Sequence, residues 1–216
     1  WMLEDLEFSD IVFPTKNQLH IADIPNELEY CKLQTISHEY THGVLLNAYR
    51  IDDFGTRLLD GLETYALHEG LSDVFAILTD RYLAESGTIS SWGWNFKNKR
   101  FLNNPNSSIV TLSESNYYQA DTYKGTYWNT HLTNPTWGMQ YIASGVPCYW
   151  FYLLSEGGSD TNDKGDTYTV TGIGVDKAER ILVEGLDKLK ATVDDANRAA
   201  KFGHLRDYTI TAAGDL

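Results

Sequence analysis

Cysteine is scarce in this chain: Cys31 and Cys148 are the two in 216 residues, with no CxxC spacing, which argues against a thiolate metal site. The two thiols either pair or stay free, and so small a number does not report the redox compartment. No apolar run approaches the ~20 residues needed to span a bilayer. Basic residues are also few, with Lys+Arg 17 against Asp+Glu 30 and a formal net charge of -13. That balance argues against nucleic acid, whose phosphates would be repelled. Internal repeats and low-complexity tracts are absent. Trp1 is neither an initiator methionine nor the start of a signal peptide, so the residues read as a fragment or a processed form. What is abundant is core material. At 42% hydrophobic and 13% aromatic, the chain can fill one domain or two tightly packed lobes.

The segment His38-Glu39-Tyr40-Thr41-His42 carries the chemistry. On a helix two histidines four residues apart lie on one face, one turn from each other, where both imidazoles reach the same metal ion. Glu39 projects beside that face, where a carboxylate can take a proton from water. Leu33, Ile36, Tyr40, Val44, Leu45 and Ala48 recur at helical spacing, which predicts a helix from about Gln34 to Tyr49. The plainer reading, two polar residues on an amphipathic helix, leaves the second half of the constellation unexplained.

That half is Leu67-His68-Glu69-Gly70-Leu71-Ser72-Asp73. A hydrolytic zinc site needs a third protein ligand and an open position, and a carboxylate is the usual third partner. Glu69 fits, in an apolar-periodic frame of Leu62, Ala66, Leu67, Leu71, Val74, Phe75 and Leu78 that predicts a second helix. Asp73, four residues on, can accept the distal N–H of a ligand histidine and fix its tautomer. A carboxylate pair on a solvated face is the alternative, but an apolar run makes unpaired carboxylates costly.

At this point the chain resembles the thermolysin family of zinc peptidases. The resemblance runs through His38-Glu39-x-x-His42, Glu69-x-x-Ser72-Asp73, Arg100-x-x-x-Asn104-Pro105 and Tyr141-Ile142-Ala143-Ser144-Gly145. It continues through Tyr152 to Gly158, Gly172 to Lys177 and Phe202-x-x-Leu205-Arg206, all in order. It implies zinc ligands at His38, His42 and Glu69, Glu39 as general base and proton shuttle, and Asp73 as the carboxylate behind a ligand. Arg100 is implied to bind the substrate carbonyl beyond the scissile bond, a task suited to a planar, always-charged fork. Secretion and a peptide or protein substrate are implied in the same way.

The chain also departs from the pattern. Tyr141 stands where a histidine would stabilise the oxyanion, and Thr136 where an aspartate would orient it. Asp60 falls at a tyrosine position and His68 at an asparagine. Loss of an oxyanion donor costs ~3 kcal/mol, although the Tyr141 phenol can itself donate, and His131 is another substitute. Lys99 and Thr35 replace apolar residues expected to line the pocket after the scissile bond, which points to cleavage before polar or acidic residues. Acidic family positions that carry calcium correspond to Asp80 and Gln34, and the stretch Asp160 to Asp166 offers oxygen ligands around a glycine, which makes calcium a candidate second ion.

Elsewhere, Ile11-Val12-Phe13 and Leu19-His20-Ile21 read as strands. Residues 86–140 read as long loops whose aromatics (Trp92, Trp94, Tyr117, Tyr118, Tyr123, Tyr127, Trp128, Trp137) either pin them to the body, the favoured reading, or form a carbohydrate or peptide surface. Helices are expected over 145–155, 175–189 and 194–216. The expected fold class is α+β, mostly α. It combines a zincin-type active-site helix with a truncated β-containing N-terminal part over 1–50 and a mainly helical C-terminal lobe over 51–216. The function read from the chain is a zinc-dependent endopeptidase. A catalytically weak or inactive zinc-binding module that docks proteins is the alternative.

Overall fold

The computed structural model describes residues 10–13, 18–21, 29–47, 58–97, 99–112, 115–128, 138–190 and 201–216. Two long helices, α1 (Glu29–Asn47) and α2 (Leu58–Glu85), pack along each other and set the frame. The sequence of α2 is apolar on nearly every side, and Leu62, Leu67, Leu71, Val74, Ile77 and Leu78 are all buried. A helix with apolar residues all round belongs in the interior, and α2 touches α1 and most of the helices that follow.

The helix α1 is inverted by comparison. Leu33, Ile36 and Tyr40, the residues whose spacing predicts the helix, are exposed, while Gln34, Thr35, His38 and Thr41 are buried with Leu45. A buried polar face is stable only when it is hydrogen-bonded, and here α2 and the 95–97 segment supply the partners. Gln34 Nε2 donates to Asp80 Oδ2 at 2.7 Å and to the Asn95 carbonyl at 3.0 Å, and Gln34 Oε1 accepts from the Lys97 N–H at 2.6 Å. The Ser37 and Thr79 hydroxyls meet at 2.7 Å. The helix begins at Glu29 rather than near Gln34 and its description ends at Asn47.

Before α1, β1 (Asp10–Phe13) and β2 (Gln18–Ile21) form the antiparallel pair expected there, with Phe13 opposite Gln18, and contact α1. After α2, the stretch expected as loops holds two small ladders. One pairs β3 (Asn95–Phe96) with β4 (Arg100–Phe101), and the other pairs β5 (Ile109–Leu112) with β6 (Ser115–Tyr118). Strands this short leave little alternation to read. Trp92 and Trp94 pack on the main core, Tyr117, Tyr123 and Tyr127 on a second cluster around buried Trp128, so these aromatics anchor the loops. Trp137 lies outside the described residues.

The C-terminal half continues with α3 (Met139–Ala143), α4 (Gly145–Glu156), the hairpin of β7 (Gly157–Thr161) and β8 (Thr167–Thr171), α5 (Val175–Lys190) and α6 (Phe202–Asp215). The last helix is shorter than the expected 194–216, of which 194–200 lie outside the described residues. Leu45, Leu67, Leu71, Phe151, Leu182 and Leu186 lie at the centre of the main core. Gly70 lets α4 approach α2 closely: a Cβ there would meet Pro147 Cγ at 2.6 Å and the Ser144 carbonyl at 2.9 Å. That contact brings α3 and α4 beside the turn of α2 that carries Glu69. Among the described residues, no helix is long and apolar enough to cross a membrane.

Candidate metal centre

Because α1 buries its polar face against α2, His38 and His42 point at the turn of α2 that holds Glu69. Their Nε2 atoms lie 3.1 Å apart, and Glu69 Oε2 lies 3.4 Å from His38 Nε2 and 3.9 Å from His42 Nε2. Glu69 Oε2 is buried and has no hydrogen-bond partner among the described residues. Among the described residues these three side chains form the one group able to hold a metal ion, with ligand atoms all within 4.8 Å of one another.

Each histidine is backed by α2. Asp73, fully buried, places Oδ1 2.8 Å from His38 Nδ1. Arg100, from β4, grips the same carboxylate with two donors, Nε to Oδ2 at 2.6 Å and Nη2 to Oδ1. Its guanidinium carbon lies 4.4 Å from the centre of the Phe96 ring and 5.8 Å from that of Tyr141, and the Phe96 ring packs 4.9 Å from that of His38. His42 Nδ1 faces His68 Nδ1 at 2.9 Å and Ser72 Oγ at 3.3 Å.

Electrostatics separate the two histidines. Burial works against the charged form of His38, but the carboxylates of Asp73 and Glu69 outweigh it and raise its pKa to about 9. Burial pushes His42 well below the usual histidine value, reinforced by repulsion from His38, His68 and Arg100, so His42 is a neutral imidazole. Burial would raise Asp73, yet Arg100 and His38 hold it below the usual carboxylate range. For Tyr141, burial followed by the charge of Glu69 lifts the phenol well above its ordinary value and keeps it neutral.

The residues expected at the site thus come together from four elements: His38, Glu39 and His42 from α1, Glu69 and Asp73 from α2, Arg100 from β4 and Tyr141 from α3. His68, Ser72 and Phe96 join them without having been assigned a role from sequence. Their proximity depends on how α1, α2 and β3 cross, which no local pattern encodes. His131 and Thr136 lie outside the described residues, as does the side chain of Asp60. Lys99 is exposed and Thr35 is buried. Cys148 is a buried free thiol, its S–H directed at the Gly70 carbonyl at 3.5 Å. The side chain of Cys31 is outside the described set.

The acidic positions read as calcium candidates do not gather into a comparable group. Asp80 is paired with Gln34. In the 160–166 turn, Asn162 Oδ1 accepts from the Lys164 and Asp166 N–H groups at 3.0 and 2.9 Å, closing the β7–β8 hairpin as an Asx-type turn.

Compared with known protein families, residues 62–216 match the alpha-helical domain of thermolysin metallopeptidases. The chain belongs to the thermolysin metallopeptidase family. The matched span takes in Glu69, Asp73, Arg100 and Tyr141. The family's helical domain therefore supplies the carboxylate of the metal group, and α1, which precedes the match, supplies both histidines. None of the curated proteins compared matches the chain.

Proposed function

We propose that the chain is the metal-binding core of a zinc-dependent endopeptidase, with His38, His42 and Glu69 as ligands, Glu39 as general base, Arg100 on the substrate and Tyr141 as oxyanion donor. The observation that carries this reading is the convergence of two imidazole nitrogens on a buried carboxylate oxygen that has no hydrogen-bond partner among the described residues. Ligand bonds of about 2.0–2.2 Å at tetrahedral angles separate the donor atoms by about 3.3–3.5 Å. The observed separations of 3.1, 3.4 and 3.9 Å bracket that value, and the two-histidine, one-carboxylate set is a hydrolytic donor set.

Zinc held by His38, His42 and Glu69 would supply a Lewis acid for the scissile carbonyl and for water. Glu39, between the two histidines, takes the proton of that water and returns it to the leaving amine. Arg100 spends Nε and Nη2 on Asp73 and keeps Nη1 for a substrate carbonyl. The neutral Tyr141 phenol donates to the developing oxyanion. Of the two pocket positions, buried Thr35 makes the wall polar, and Lys99 is exposed. Secretion accords with membership of the family.

The deciding experiment is metal analysis. The wild-type chain is expected to carry about one equivalent of zinc after dialysis, one three-ligand site holding one ion, and His42→Ala to carry almost none. Zinc held equally by both proteins would overturn the ligand assignment. Tyr141→Phe is expected to lower kcat by about 10²–10³-fold with zinc content unchanged, the usual effect of removing one oxyanion donor. Equal turnover would remove the phenol from the mechanism.

A second reading, a zinc-stabilised protein-binding module without activity, draws its support from the same position, since a phenol stands there instead of an imidazole. It differs in predicting no hydrolysis from a fully zinc-loaded wild type.

A further inference from the structure

Away from the metal group, the start of α2, the loop after β6, α4 and the start of α6 meet around a cavity of about 620 Å³, a volume in the range of small-molecule sites. No side chain of the metal group lines it. Glu63, its contact with α2, precedes Glu69 by about 9 Å of helical rise. Val146, Pro147 and Trp150 from α4 and Phe202 from α6 give the cavity an apolar floor. One carboxylate fixes the walls. Glu63 Oε1 accepts from the Tyr123 hydroxyl at 2.6 Å and Glu63 Oε2 from the Phe202 N–H at 3.2 Å. The Tyr123 and Phe202 rings meet edge to face with centres 5.6 Å apart. Walls tied together in this way have little left to order when a ligand enters.

The rim reverses the charge of the chain. Among the described residues, Lys124, Lys201 and Arg206 line the opening, all exposed, and Glu63 is the one carboxylate of the lining, on a chain whose formal net charge is -13. Both Glu63 oxygens are engaged in the wall, whereas ammonium and guanidinium groups are donors only and stand where an anion can approach. Arg206 gives Nε and Nη2 to its neighbour Asp207, so the rim charge rests chiefly on the two lysines. The Lys124 ammonium lies 5.0 Å from the centre of the Tyr123 ring, at the wall itself. An apolar floor under a cationic rim complements a molecule that is apolar at one end and negative at the other.

We infer that this cavity is a second binding site, for a small carboxylate with an apolar body: the body lies against Trp150 and Phe202, and the carboxylate meets Lys124 and Lys201. The site is independent of the metal-site reading above. Its test is calorimetric titration of the chain, with and without a chelator, with naphthaleneacetate and with its neutral counterpart naphthaleneacetamide. The acid is expected to bind at one site about tenfold more tightly than the amide, the effect of one charge-assisted hydrogen bond, whether or not metal is present. Lys124→Glu with Lys201→Glu, both exposed positions, is expected to weaken the acid by about tenfold and to leave the amide unchanged, which also shows that the variant is folded. A Cβ at Gly203 meets no heavy atom within 4 Å, so Gly203→Trp adds a ring to the cavity without a clash and is expected to exclude both ligands. Decanoate reports whether the floor takes an acyl chain as well as a ring, and binding by neither acid would overturn the inference. Equal affinity for acid and amide would overturn it too, as would binding undiminished in Gly203→Trp. Binding lost with the chelator would place the acid at the metal centre instead.

Discussion

Glu39→Gln in the full-length protein is expected to cut peptide hydrolysis by about 10²–10⁴-fold, the range that a positioned general base contributes, while zinc content stays at the wild-type level. The amide is nearly the same size as the carboxylate and keeps the side chain on the same face of α1, between His38 and His42. It cannot accept and return a proton at neutral pH. The carboxylate charge of Glu39 is felt by both His38 and Tyr141. Measuring kcat/KM and bound metal on the same preparations separates the two readings of the chain. Hydrolysis lost with zinc retained identifies the base of a peptidase. Equal rates in the two proteins would mean that the observed hydrolysis does not pass through Glu39, and a wild type that is loaded yet inert would leave the binding-module reading.

Asp73→Ala is expected to cost about 3–5 kcal/mol of folding stability, the penalty for removing one partner of a buried ion pair. Asp73 is fully buried, and its carboxylate is held by two Arg100 donors on one side and faces His38 Nδ1 on the other. Truncation would leave the guanidinium facing a cavity without the carboxylate that grips it, and would take from His38 one of its two carboxylate neighbours. Urea unfolding of the metal-free chain measures the effect without interference from zinc. The double substitution Asp73→Ala with Arg100→Met is expected to recover part of the loss, because it removes the stranded charge as well as its partner. A loss below about 1 kcal/mol, the level of an exposed pair, would show that water reaches Arg100 and that the pair is not the buried clamp described here.

What could be read from sequence at this site follows from how far each feature reaches along the chain. His38 and His42 are one helical turn apart, so their shared face is a local property, and Glu69 stands out because a carboxylate inside an apolar helix needs a reason to be there. The side on which α1 faces the interior was not legible. Its apolar spacing marks Leu33, Ile36 and Tyr40, yet these are exposed and the polar side is buried, because the hydrogen-bonding partners that stabilise that side come from α2 and from residues 95–97. The Arg100–Asp73 pair bridges residues 27 apart, and the His42–His68 contact residues 26 apart. Both depend on helix and strand crossings that no window of the sequence contains. The ladders at 95–101 and 109–118 escaped for a different reason, since strands of two to four residues carry almost no periodic signal.

The amide of Gln34 ties α1 to Asp80 on α2 and to both Asn95 and Lys97 beside the Arg100 strand. Every atom of that junction is covalently part of the chain, so no solute concentration enters its equilibrium. A junction made by a bound ion would weaken by RT ln(1 + [L]/Kd) as the ion is withdrawn. The corner that holds the histidine-bearing helix against the arginine-bearing strand therefore keeps its strength in the presence of a chelator, while the centre beside it answers to free metal by mass action.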